Sequence, residues 1–325
     1  MQTVSHTIDQ LELGKPSTFE GLSVFPLFGK TAQEADYLTL DEAMDLEQAR
    51  VLEVSESGEV ANLLFENLGN RKVLLVDGDE LIGAKQNRII NLTILVAAHT
   101  KIEIPVSCVE AGRWSYRSDA FMAAKRSMYS RARAAKMQQV TTRLKRVGER
   151  YSDQSAVWDD IADCSMDLGV ESETGAMSEL FEQHEDHLEK YRQAFQVRDG
   201  QVGAVFAVHG TVQGIECFDH PRPFGQYLGK LVSSYAVEAL RNREADEPKV
   251  AEDQVQAFLK EVSTSRGDAY AALGEGEDLR LSGEGLAGGA LVVEGRVMHL
   301  AAFRIGRTGE YGNYRARHYR SGPVE

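Results

Sequence analysis

Residues Asp77 to Ser118, DGDELIGAKQNRIINLTILVAAHTKIEIPVSCVEAGRWSYRS, carry the densest set of groups able to do chemistry in this chain. Asp77, Asp79 and Glu80 come first, a carboxylate set suited to a hard divalent cation or to acid and base roles. Lys85 and Arg88 follow, with Arg113 and Arg117 further on, and these cations suit the clamping of phosphate or carboxylate. Gln86 and Asn87 add amide donors and acceptors, Trp114 offers a ring to stack on a base, and Glu110 is a further acid. Acidic, basic, amide and aromatic groups thus converge with no apolar period to explain them, which marks a candidate site. The competing reading is a tight turn at Asp77-Gly78 and a polar strand end with local ion pairs.

The elements that must position these groups read as extended. Ile90, Leu92, Ile94 and Val96 share one parity, and so do Ile102, Ile104, Val106 and Cys108. That alternation, with AAHT between the runs, predicts an antiparallel hairpin with one buried face. Pro105 lacks a ladder donor and predicts an edge or a bulge. Cys108 lies on the apolar parity and reads as a packed thiol. Glu110, two residues on, points to the same side and needs a partner, for which Arg88 and Arg113 are the suitable candidates, with Lys85 or Asn87 beside them.

The remaining chain reads as α+β. Extended runs at 22–27, 51–54, 62–66 and 73–76, with a helical turn at 39–46 capped by Thr39 or Asp41, predict a β-rich region over 1–116 built as a sandwich or barrel-like sheet. Helix formers without proline from Asp119 to Phe195 predict a helical segment over 117–198, broken near Gly148 and again near Gly169–Gly175. Over 199–305 a weak repeat, VHGTVQGIECF and VEGRVMHLAAF, places two hairpins with turns at His209-Gly210 and Glu294-Gly295 around two amphipathic helices. Residues 306–325 read as a mobile Gly- and Arg-rich tail. No Pro/Ser-rich spacer separates these regions, so one shared core is expected.

Composition excludes some classes. The 325 residues carry a net charge of −14, which argues against a nucleic-acid-binding surface over the whole protein. Residues 117–150 nevertheless hold ten basic residues against two acidic ones, an anion-binding candidate or a solvated helix face that pairs with the acids of 171–189. The three cysteines suit neither a disulfide framework nor a zinc cluster, and the N-terminus has no signal-peptide pattern, so a cytoplasmic location is expected. No run is long and apolar enough to span a membrane. Gly29-Lys30-Thr31 lacks the upstream glycine of a phosphate loop, and His184 and Glu185 through His187 miss the metalloprotease spacing. The glycines of 274–289 read as loops around a short strand, and no GxSxG elbow occurs.

The segment GDELIGAKQNRIINLTILVAAHTKIEIPVSCVEAGRW resembles the hallmark of a bacterial and archaeal family associated with ADP-ribosylglycohydrolase and rhodanese-phosphatase genes. PFGQYLGKLVSSYA and the final HLAAF extend the likeness over nearly all of the chain except the tail. The resemblance implies a link to NAD and ADP-ribose metabolism and carries over no catalytic residues or cofactor. The expected function is therefore binding or processing of a phosphorylated nucleotide derivative such as an ADP-ribose compound, whether or not as an enzyme. Lys85, Arg88 and Arg113 would bind phosphate, and Asp77, Glu80 or Glu110 would supply acid–base or metal contacts. The alternative is a non-catalytic interaction protein whose basic helix, 117–150, contacts nucleic acid or an acidic partner.

Overall fold

The structure is a computed structural model that describes residues 1–29, 34–55, 60–113, 118, 120–241 and 249–306. Its first part runs α1 (Gln2–Asp9), β1 (Glu12–Leu13), β2 (Ser17–Phe19), β3 (Leu22–Phe28), β4 (Tyr37–Thr39), α2 (Leu40–Asp45), β5 (Ala49–Glu53), β6 (Asn62–Asn67) and β7 (Lys72–Leu75). There follow β8 (Asp79–Gly83), β9 (Arg88–Ile90), β10 (Ile94–Val96), β11 (Lys101–Cys108) and β12 (Phe121–Ser127). The helical middle holds α3 (Ser130–Val147), α4 (Gln154–Leu168), α5 (Met177–Glu182) and α6 (Glu185–Ala194). The last part is β13 (Gln201–Val208), β14 (Thr211–Phe218), α7 (Pro221–Arg241), α8 (Glu252–Ser263), β15 (Arg266–Ala271), β16 (Glu277–Gly283), β17 (Leu286–Val293) and β18 (Arg296–Arg304). The fold is α+β, as expected from the sequence.

Six strands close a barrel in the order β11-β6-β5-β12-β8-β9, filled by Val51, Leu63, Phe65, Leu81, Ile90, Ile104 and Phe121. Beside it lies the three-stranded sheet β10-β7-β4. The third sheet is antiparallel and nine-stranded, with the path β1-β3-β13-β14-β18-β17-β16-β15 and β2 paired to β3. Its β3, from the start of the chain, pairs with β13 from Phe28↔Gln201 to Leu22↔Val208. Both faces of its central strands β3, β13, β14, β17 and β18 are covered, so these strands are apolar on both parities. Ala204, Phe206 and Phe303 pack under α3, α4, α6 and α7, while Val205, Ala207 and Ala302 face α1 and α8.

Local signals explain many of the element ends. Thr39 caps α2 through a capping box with Glu42, and Asp153 caps α4 through the amides of Ser155 and Ala156. Gly148 and Gly169 end α3 and α4 in the left-handed conformation. His209-Gly210 and Glu294-Gly295 all have positive φ, the geometry that two-residue hairpins need. The sequence repeat becomes a structural one: β14 and β18, the second strands of the two hairpins, lie side by side with Gly214 opposite Phe303 and Phe218 opposite His299.

Three expectations need correction. The run 89–96 is not one strand of a hairpin with β11. Its first part, β9, does pair with β11, but β10 leaves the barrel and pairs with β7. The chain turns at Asn91, whose amide donates to the Pro105 carbonyl and whose side chain accepts from Ser107 Oγ at 2.7 Å. Pro105 marks the place where β11 passes from β6 to β9, so its missing donor falls at a handover between partners. Residues 121–127 are the strand β12, because pairing with β8 and β5 outweighs the helix preference of Met122, Ala123, Ala124 and Lys125. Finally, 274–289 holds most of a hairpin, β16 and β17, as well as loops. The reading of a mobile tail falls on 307–325, outside the described residues, as do Trp114 and Arg117.

Candidate functional site

The Asp77–Ser118 block supplies three separate neighbourhoods. The first borders an open cleft of about 600 Å³, lined among others by Asp41, Lys125, Arg126, Glu182, Arg192 and Lys230. That volume is in the range of small-molecule sites. Gln226, Lys230 and Ser233 are spaced to share one face of α7, and all three line the cleft. The Thr39 cap puts Asp41 in the first turn of α2, facing Lys230.

Charge in this cleft is held from below by the block's own carboxylates. Lys230 Nζ donates to Asp41 Oδ1 at 2.8 Å and to Asp79 Oδ1 at 3.2 Å. Tyr227 donates to the other Asp79 oxygen at 2.6 Å, and Asp79 is fully buried. Arg126 Nε contacts Glu80 Oε2 at 2.5 Å, and its Nη2 reaches Glu182 Oε1 at 3.0 Å. Burial works against the Lys230 ammonium, but Asp79 and Asp41 outweigh it and raise its pKa, so Lys230 stays charged. Burial likewise opposes the Arg126 charge, and Glu80 and Glu182 outweigh it. Burial raises the Glu80 and Asp41 carboxyls, against the pull of Arg126 and Lys230 respectively.

Asp77 sits in the second neighbourhood, between the barrel, α3 and the large sheet. Lys136 Nζ donates to its Oδ1 and also to the carbonyls of Ile90 and Asn91 at 3.0 and 3.2 Å. Arg133 pairs with Glu216 at 2.6 Å, and Glu216 also meets His299 Nε2 at 3.2 Å. His299 Nδ1 lies 2.8 Å from Thr93 Oγ1. Asp77, Arg133, Lys136, Glu216 and His299 are all buried. Two cations of the basic segment therefore point inward.

The third neighbourhood closes one end of the barrel. Glu110 forms the expected contact with an arginine, Arg113 Nη2 to Oε2 at 2.7 Å, and both side chains are buried. The Asn87 amide and the Thr174 hydroxyl also donate to Glu110, at 3.2 and 3.0 Å. Arg113 further donates to the carbonyl of Ala84 and to Asn87 Oδ1, both at 3.0 Å, so it ties down the loop between β8 and β9. Arg88 and the Cys108 thiol both donate to Gln86 Oε1 at 3.0 Å, and burial raises the thiol pKa. Lys85 is half-buried in the same loop. Gln154 bonds both the amide and the carbonyl of Cys108, acting as a ladder partner where β11 ends.

Glu110 gives this end of the barrel a pH dependence. Burial pushes its carboxyl up, but Arg113, the Asn87 amide and Thr174 together hold it below the ordinary 4.5. Its contribution to stability is present above that value and is lost as pH falls through the lower folded-state pKa. Glu110→Gln is expected to cost about 1–3 kcal/mol at pH 7. Denaturation midpoints measured from pH 7 down to acid should converge for variant and parent; parallel curves would refute this account.

Arg192 and Lys230 were not singled out in the sequence, Asp41 was read only as a helix cap, and Arg126 only as one of the ten basic residues of 117–150. Lys230 did leave a signal, as the one charged residue in the stretch from Phe224 to Val237. A family model, described as ARPP-1, the ARG and Rhodanese-Phosphatase-superfamily-associated Protein domain, matches residues 10–303. The chain belongs to this family. The ARPP-1 match begins just before β1 and ends inside β18, so all three neighbourhoods lie within it. No curated protein and no solved structure gives a significant match to the chain. Among the described residues no His, Cys, Asp and Glu cluster has the arrangement of a metal site, and no helix is long and apolar enough to cross a membrane.

Proposed function

We propose that this ARPP-1 protein binds a phosphorylated nucleotide derivative in the cleft between β12, α2, α6 and α7. The observation that carries this reading is the pair of cations, Lys230 and Arg126, held charged at the cleft by Asp79 and Glu80 beneath them. Lys125 and Arg192 add two more positive groups to the lining. The acids on the rim do not close the site. Glu182 and Glu185 are 56% and 58% exposed, and exposed ion pairs of this kind are worth about 0–1 kcal/mol. The same arginines can make charge-assisted, bidentate bonds to a phosphate, which competes with these exposed rim acids. The ADP-ribose class is favoured because the family name couples this domain to ARG, the ADP-ribosylglycohydrolase group.

The basic-helix alternative has less to work with. Arg133 and Lys136 are buried and engaged with Glu216 and Asp77, so neither faces a partner.

A thermal-shift and calorimetric titration with ADP-ribose, ADP, NAD and inorganic phosphate tests the reading. At least one nucleotide ligand is expected to raise the melting temperature. Lys125→Ala combined with Arg192→Ala should weaken its binding by roughly 10–100-fold while leaving the fold intact. No shift with any ligand, or binding that is indifferent to the double variant, would count against the cleft.

A further inference from the structure

A second cavity lies deep in the molecule, where the barrel meets the large sheet, apart from the cleft. Asp77, Thr93, Asp278, Arg280, Gly289 and His299 line it, and its volume is about 10 Å³. That is close to the least space one water molecule needs. The lining comes from four places: the turn before β8 and Leu92–Thr93 on the barrel side, Met137 of α3, the hairpin β16–β17, and β18.

Two buried polar atoms in this lining lack a hydrogen bond, Asp77 Oδ2 and Arg280 Nε, and of these Arg280 Nε has an ion-pair contact with Asp278 Oδ1 at 2.8 Å. Asp77 Oδ1 takes the Lys136 ammonium, but Oδ2 is buried and has no hydrogen-bond donor. The Arg133 guanidinium is 3.8 Å from it, beyond hydrogen-bonding distance. Asp77 as a residue is 2% exposed, so bulk water does not satisfy that oxygen. The other lining groups are already engaged. Arg280 grips Asp278 through Nε at 2.8 Å and Nη2 at 2.9 Å. His299 is held at both ring nitrogens. Arg280 Nη1 stands beside Gly289, where a Cβ would come within 3.5 Å of it.

Charge decides what fits. Lys136 offsets Asp77 and Arg280 offsets Asp278, so the lining needs neither a further cation nor an anion. It needs a small neutral molecule that donates to a carboxylate oxygen and accepts from a guanidinium. We propose that this cavity is a built hydration site, in which one water donates to Asp77 Oδ2 and accepts from Arg280 Nη1, joining the barrel to the large sheet. Gly289 is the residue that keeps its place open. The inference stands independently of what binds in the cleft.

The test is a high-resolution crystal structure of the full chain, beside that of Gly289→Ala. The parent should show an isolated density peak at about 2.5–3.0 Å from Asp77 Oδ2. A dry cavity overturns the proposal, and so does a peak with the shorter, many-oxygen coordination of a metal cation. The methyl group of Gly289→Ala meets Arg280 Nη1 at 3.5 Å and the Leu279 carbonyl at 3.6 Å, ordinary contacts that leave the backbone unstrained. The variant should lack the peak, and its folding equilibrium constant should fall roughly tenfold, as expected when a buried acceptor loses its donor. A variant that keeps the peak, or is as stable as the parent, also overturns the proposal. Should the variant not fold, the parent density decides alone.

Discussion

Arg133→Met is expected to destabilise the protein by about 3–5 kcal/mol, because it strands the buried Glu216 carboxylate. Arg133 is fully buried, forms two bonds to Glu216 at 2.6 and 3.4 Å, and stacks its guanidinium 5.1 Å from the Phe303 ring centre. Gly78 makes room for it: a Cβ there would come within 2.7 Å of Arg133 Nε, and φ at that residue is +88°. Methionine refills most of the volume, so the loss is electrostatic rather than a cavity. The check is urea denaturation of Arg133→Met, Glu216→Gln and the double variant. The double variant should recover at least half of the single loss, since both members of the pair are then neutral. A single-variant loss below about 1 kcal/mol would remove the buried pair as a determinant of the fold.

Lys230→Met should have a comparable effect on stability and a larger one on binding. Lys230 lies between Asp41, which is 34% exposed on its side chain, and Asp79, which is 1% exposed. Asp41 can turn to solvent when the ammonium is removed. Asp79 cannot, and keeps only Tyr227, a long contact from Ser127 at 3.5 Å and the Val76 amide at 3.4 Å. A loss of about 3–5 kcal/mol follows from leaving that carboxylate buried beside no cation. Asp79→Asn in the Lys230→Met background should return much of it, yet nucleotide-induced stabilisation should stay absent in both. Restored stability together with restored ligand binding would show that Lys230 serves the fold alone.

The sequence was legible wherever the physics is local. Thr39, Asp153, Gly148, Gly169 and the two x-Gly turns act within four residues of themselves, and each does what its type predicts. Where tertiary pairing outweighs propensity, legibility fails. Phe121–Ser127 contains good helix formers but has a strand partner in β8, and β10 separates from β9 because a second sheet offers it β7. The block Asp77–Arg113 was recognisable as chemically dense, and its Glu110–Arg contact followed from strand parity. Its division among three neighbourhoods did not follow. Asp77 and Asp79 flank a turn at Gly78, so two residues of sequence separate partners on α3 from partners on α7. Lys230, Arg126 and Glu216 come from far along the chain, and only the topology brings them together.

The pairing of β3 with β13 also sets an order of events during synthesis. Leu22 emerges from the ribosome long before its neighbour Val208, with the whole barrel and the helical middle translated in between. The barrel strands β5 to β12 have all their partners by Ser127 and can close while β3 still waits. Through that interval β3 is a nascent apolar strand, with Val24, Phe25 and Leu27 exposed and at most β1 and β2 beside it. Such non-local pairing closes slowly and leaves an edge open to other chains. A ribosome-associated chaperone that covers residues 22–28 until β13 appears would therefore raise the yield of native protein, whereas a nascent chain halted before residue 201 would be the species most prone to aggregate.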